Sequence, residues 1–171
     1  MLFFDAEDKG PARETSHPTY VRLCVDDLFY DCTAEFGPFG NDAGADGLSM
    51  LEDWYPQPTT KTVKSFIEAV LNEWGMAPPD PLATDPATVN GWLATDKLDA
   101  VREADTLVIA VAFGQLKIAG AIDDEVRTLA RAALAREDLW REYWRRQDPT
   151  WAHAAASSSA TARKRAVLEQ L

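Results

Sequence analysis

Cysteine and histidine are scarce, with two of each in 171 residues. Cys24, Cys32, His17 and His153 lack the paired spacing of a zinc site. Neither histidine has the context of a nucleophile's base, and Ser157–Ser159 lie in an Ala/Ser run rather than a Gly-x-Ser-x-Gly elbow. No apolar run approaches the roughly 18 residues needed to cross a membrane. The opening "MLFFDAEDKG" has no basic stretch before its short apolar run, so it does not read as a secretory leader. Without an export signal the two cysteines read as reduced thiols, and the chain reads as cytoplasmic. No cofactor motif is present. The glycines of "GPFGNDAG" are followed by no Lys and lie in no βαβ setting, so they do not form a phosphate loop.

Basic charge is also in short supply. Lys and Arg number 17 against 28 Asp and Glu, a formal net charge of −11. That balance excludes the basic footprint of general nucleic-acid binding and favours a basic partner. The charge is unevenly placed. Residues 1–60 carry 12 acids and three bases, whereas residues 126–171 carry five acids and nine bases. The aromatic and basic segment "EDLWREYWRRQDPTW" reads as an amphipathic helix, with Leu139, Trp140, Tyr143 and Trp144 inward and Arg141, Arg145 and Arg146 outward. A strand-stacking surface for nucleic acid is the weaker reading of it.

What is present is enough apolar surface for one core: 46% apolar residues and six Trp. "YVRLCV" and "LFYDCT", separated by Asp26–Asp27, are rich in aromatic and β-branched residues and predict an N-terminal β-hairpin. Beyond residue 40 the pattern is helical. Helices are expected over about 42–54, 59–75 and 86–100. Val63, Phe66, Ile67, Val70, Leu71 and Trp74 form one face of the second, and Gly75 closes it. "MAPPDPLATDP" is a proline-broken connection. "READTLVIAVAFGQLKIAGAI" predicts the most buried helix, closed by Gly120. Further helices are expected at about 123–136, over the Trp/Arg segment, and from about 158. The expected fold is mainly α, a bundle of about six to seven helices with a small N-terminal hairpin. Residues 1–34 form an arm and hairpin packed on a single helical domain, residues 35–171.

The stretch "EFGPFGNDAGADGLSMLEDW" carries the main functional question. It fits an EF-hand loop poorly, although Asp42 and Asp46 lie one helical turn apart. A structural role is the better reading. Gly37–Pro38 turns the chain, Asn41 or Asp42 caps a helix, and Phe39 staples the turn to the core.

The same stretch resembles the opening motif of a bacterial domain family of unknown function, numbered 4259 (DUF 4259). Gly37, Pro38, Phe39, Asn41, Asp42, Ala45 and Asp46 match, and Glu35 departs where that family has Trp-Gly. "EADTLVIAVAF" resembles its acidic-start helix. "ALAREDLWREYWRRQDPTW", with Trp140 or Trp144 followed by Trp151, and "RAVLEQL" resemble its closing segments. The resemblance covers residues 35–171. It implies a small helical domain and no established chemistry.

The leading functional expectation is a non-enzymatic, acidic protein-binding domain of the immunity or antitoxin kind that occludes a basic toxin, by analogy with other small acidic bacterial proteins. Asp26, Asp27, Asp31, Glu35, Asp42 and Asp46 are its candidate partner-binding residues. The alternatives are a metal-assisted hydrolase built on carboxylates near Asp42 and Asp46, and a structural homo-oligomer subunit that associates through exposed Trp.

Overall fold

The computed structural model describes residues 1–5, 10–57 and 60–171. Among these described residues seven α-helices follow one another: α1 Pro18–Leu23, α2 Asp42–Trp54, α3 Val63–Trp74, α4 Pro86–Leu93, α5 Leu98–Ala119, α6 Asp124–Gln147 and α7 Ala154–Leu168. Short 3-10 turns occur at Arg13–Thr15 and Asp27–Phe29.

Helix α5 is the axis of the bundle. From Leu107 to Ile118 every residue is buried, because α1, α2, α3, α4 and α6 all pack against it. Where α2 crosses α5, Gly47 faces Leu107 and Gly114 faces Leu51 and Leu48. A Cβ on Gly47 would come within 2.7 Å of Leu107 Cδ1, so the missing side chains set how closely the helices approach. Gly120 ends α5 in the left-handed region, at φ +78°, where an L side chain is strained. The His17 ring packs against its α-carbon.

The N-terminal segment lies on this end of α5. Phe3 N–H donates to Ile118 O at 3.0 Å, and His17 N–H donates to Lys117 O at 2.8 Å. Lys117 is fully buried, with its Nζ 2.9 Å from Asp5 Oδ1 and 3.2 Å from Glu52 Oε1. Two carboxylates offset the cost of removing this ammonium group from water, and they tie the N-terminal segment and α2 to one point on α5.

The expected hairpin is not formed, and the fold is all-α, with no strand among the described residues. Capping and burial explain the difference. Pro18 occupies the first turn of α1, and His17 Nδ1 accepts a bond from Thr19 N–H at 3.1 Å. Tyr20, Leu23 and Cys24 then point inward at helical spacing. Asp26 Oδ1 accepts from Leu28 N–H at 3.1 Å and opens the Asp27–Phe29 turn, which buries Phe29. Tyr20 and Phe29 thus bury their side chains through helical turns while Val25 stays exposed, because strand preference is weak against tertiary packing.

Other boundaries also differ. Helix α3 begins at Val63, where Thr62 Oγ1 caps Ser65 N–H; position 59, the expected start, lies outside the described residues, as do residues 6–9 of the expected N-terminal arm. The helix expected over 86–100 stops at Leu93, and α5 begins at Leu98 after a turn. The two helices expected after residue 123 are one continuous α6, and α7 starts at Ala154 rather than about 158.

Candidate functional site

A cleft of about 420 Å³ lies between the chain before α2, the adjoining ends of α4 and α5, and the middles of α6 and α7. Its position follows from local chemistry. Asn41 Oδ1 accepts from Gly44 N–H at 2.9 Å and starts α2, while its Nδ2 donates to Glu35 O at 3.0 Å. One side chain therefore both caps the helix and holds the preceding loop. Phe39 is buried in the core behind this turn. The arrangement leaves Glu35, Asp42 and Asp46 along one edge of the cleft.

The floor is polar and closely paired. Arg136, 2% exposed, places Nε 3.0 Å from both Asp105 oxygens and Nη2 2.6 Å from Oδ1. Its Nη1 donates to Pro81 O and Ala83 O at 2.9 and 2.8 Å, holding the proline-rich connection over the bundle. Burial pushes the Asp105 carboxyl up to about 7, and Arg136 pulls it in the opposite direction. Beside this pair, Lys164 Nζ lies 2.7 Å from Glu137 Oε1, and Thr161 Oγ1 donates to Glu137 Oε2 at 2.7 Å.

Arg141 extends the network by donating to Ser157 Oγ, Thr161 Oγ1 and Asp138 Oδ1. The outward orientation expected of Arg141 is therefore corrected: it is buried and joins α6 to α7. Burial works against the charge of Asp138, but bonds from Arg141 and Arg165 outweigh it and hold the carboxyl below its ordinary value.

The walls are aromatic and aliphatic, with Phe36, Trp74, Met76, Leu93 and Trp140. Trp140 makes an edge contact with Trp151, which also meets Phe36. The Arg102 guanidinium lies 5.9 Å from the Trp140 ring centroid, so one face of this ring already accommodates a cation.

The six candidate acids fall into two sets. Asp26 pairs with Arg163 of α7 at 2.7 Å, so part of the basic C-terminal charge does fold onto the acidic N-terminal region. Asp27 pairs with Arg13 at 2.7 Å. Asp31 accepts from the Thr33 hydroxyl and N–H, which hold its carboxyl below the usual range. Glu35, Asp42 and Asp46 are exposed at the cleft edge and pair with no cation among the described residues. Glu103, on α5, joins them there.

Asp105, Arg136, Glu137 and Lys164 were not candidates from the sequence. One signal was available: Asp105 and Lys117 are the only charged residues between Ala104 and Ala119, and both are buried. Among the described residues no three His, Cys, Asp or Glu side chains gather as a metal-holding group. No helix there is long and apolar enough to cross a membrane. All six Trp are half-buried.

No family model matches the chain. The resemblance to the unknown-function family numbered 4259 is therefore corrected. Its matching residues, Gly37 to Asp46, make a turn and helix cap whose chemistry many unrelated folds use. Over 141 residues, 80% of its length, the chain is 32% identical to an uncharacterized protein of Escherichia coli (strain K12), YfeS. The chain spans 56% of that protein's length. No solved structure matches.

Proposed function

We propose that this chain is a non-enzymatic protein-binding domain that holds a basic partner at the acidic edge of its cleft, as a cytoplasmic immunity or antitoxin protein would hold a toxin. One observation carries the reading. Glu35, Asp42, Asp46 and Glu103 line a concave surface with no cation paired to them among the described residues, whereas Asp26, Asp27, Asp105, Glu137 and Asp138 all have one. Unpaired carboxylates around a cleft attract a basic surface over distance and reject acidic competitors.

The test is capture of partners by the tagged chain from its own cells, followed by salt elution. A stoichiometric basic protein released by salt supports the reading, provided that the combined variant Glu35→Lys, Asp42→Lys, Asp46→Lys loses it. Equal capture by that variant overturns the placement.

A further inference from the structure

Resting on that reading, we propose that the cleft is a socket for a single arginine side chain of the basic partner, its guanidinium held between the Trp140 ring and the carboxylates of Asp42, Asp46 and Glu103. Three observations point the same way. The cleft, about 420 Å³, lies in the size range of sites that enclose small ligands. Its charges do not cancel. Arg136 and Lys164 are taken up by Asp105 and Glu137, which leaves Arg102 as the one further cation among the described residues that line the cleft. Arg102 itself has just a 3.9 Å contact with Asp99.

The third observation concerns the wall. Trp140 stands at the cleft with a guanidinium already near its face. A planar guanidinium both stacks on an indole and forks its N–H groups toward carboxylates, which an ammonium group cannot do as well. Arg102 is then a resident competitor: it carries the same group as the ligand, near the same ring.

The probe is N-acetyl-arginine amide, titrated onto the full chain and followed by calorimetry and by the Trp indole N–H signals in NMR. N-acetyl-citrulline amide, of the same shape but neutral, is the control. The arginine probe should bind and shift the Trp140 signal, and the citrulline probe should not. Asp42→Asn, Asp46→Asn and Glu103→Gln should each weaken binding by about threefold, the scale of one exposed charge pair. Arg102→Gln should strengthen it by a similar factor.

Equal binding of the two probes, or arginine affinity unchanged in the combined Asp42→Asn, Asp46→Asn, Glu103→Gln variant, would overturn the socket. The two levels of the argument fail separately. A salt-released basic protein that the combined variant loses, with no binding of the arginine probe by the wild type, overturns the socket and leaves an acidic binder. A responsive arginine probe with no captured protein supports the socket chemistry and overturns the partner reading.

Discussion

Replacing Arg136 by Met should be among the most damaging single substitutions in this protein. The guanidinium makes three hydrogen bonds to Asp105 within 3.0 Å and two to the carbonyls of Pro81 and Ala83. The R136M variant fills similar space and leaves Asp105, 5% exposed, without its cation. Breaking a buried ion pair from one side costs about 3–5 kcal/mol. That is a large part of the roughly 5–15 kcal/mol that holds a typical domain folded. The two carbonyls add little, because the connection they belong to is largely at the surface and can turn to water.

The sign of the pH dependence follows from Asp105. Its folded carboxyl is raised to about 7, so it holds a proton that the unfolded chain releases at lower pH. The stability from that proton is complete at low pH and is lost as pH rises through about 7. Without Arg136 the carboxyl is raised further, and above that pH each unit adds up to about 1.4 kcal/mol to the penalty. Urea unfolding followed by circular dichroism at pH 5 and pH 8 measures both effects. The R136M deficit should be larger at pH 8. The double variant Arg136→Met, Asp105→Leu should be more stable than R136M alone, because no buried charge is left behind. A deficit below about 1 kcal/mol at pH 8, or additive losses in the double variant, would refute this account of the pair.

Other outcomes follow from the same structure. Asn41→Ala removes the cap of α2 and the tether to Glu35 O, and should cost about 1–2 kcal/mol in urea unfolding. Gly47→Ala sets a helix-propensity gain of about 1 kcal/mol against a 2.7 Å approach to buried Leu107; the clash should win and lower the melting temperature. Cys24 is buried and burial raises its thiol, so an aromatic disulfide reagent should modify only the exposed Cys32 until the chain unfolds. Charge reversal of Asp26 or Asp27 should lower stability slightly through lost surface pairs, by about 0.2–1 kcal/mol, and should change partner capture less than reversal at Asp42 or Asp46.

The helical part of the fold was legible because its signals are local. Gly75 closes α3, and Val63, Phe66, Ile67, Val70 and Leu71 are its buried face, as the spacing implies. The all-round apolar character of α5 matches its central place, and the α2 cap is Asn41, one of the two residues the sequence offered for it. The hairpin reading failed because aromatic and β-branched residues suit any buried surface, and His17–Pro18 and Asp26 decided the local geometry through capping bonds.

The cleft floor was not legible. Asp105 meets Arg136 across 31 positions, and Glu137 meets Lys164 across 27. Nothing in a local pattern marks which acid and which base will be buried together. Arg141 shows the same limit, since an arginine among Trp and Glu reads as solvated until α7 is seen to cover it. Three of the six candidate acids, Glu35, Asp42 and Asp46, lie along the cleft edge for a local reason, the α2 cap that displays Asp42 and Asp46. The other three, Asp26, Asp27 and Asp31, are engaged by Arg163, Arg13 and Thr33.

The most direct test of the central claim compares capture of the basic partner by the wild-type chain and by the combined variant Glu35→Gln, Asp42→Asn, Asp46→Asn, once circular dichroism has shown both folded. The account predicts salt-sensitive, stoichiometric capture by the wild type and little or none by the variant. Equal capture by both, or wild-type capture that salt does not release, would contradict it.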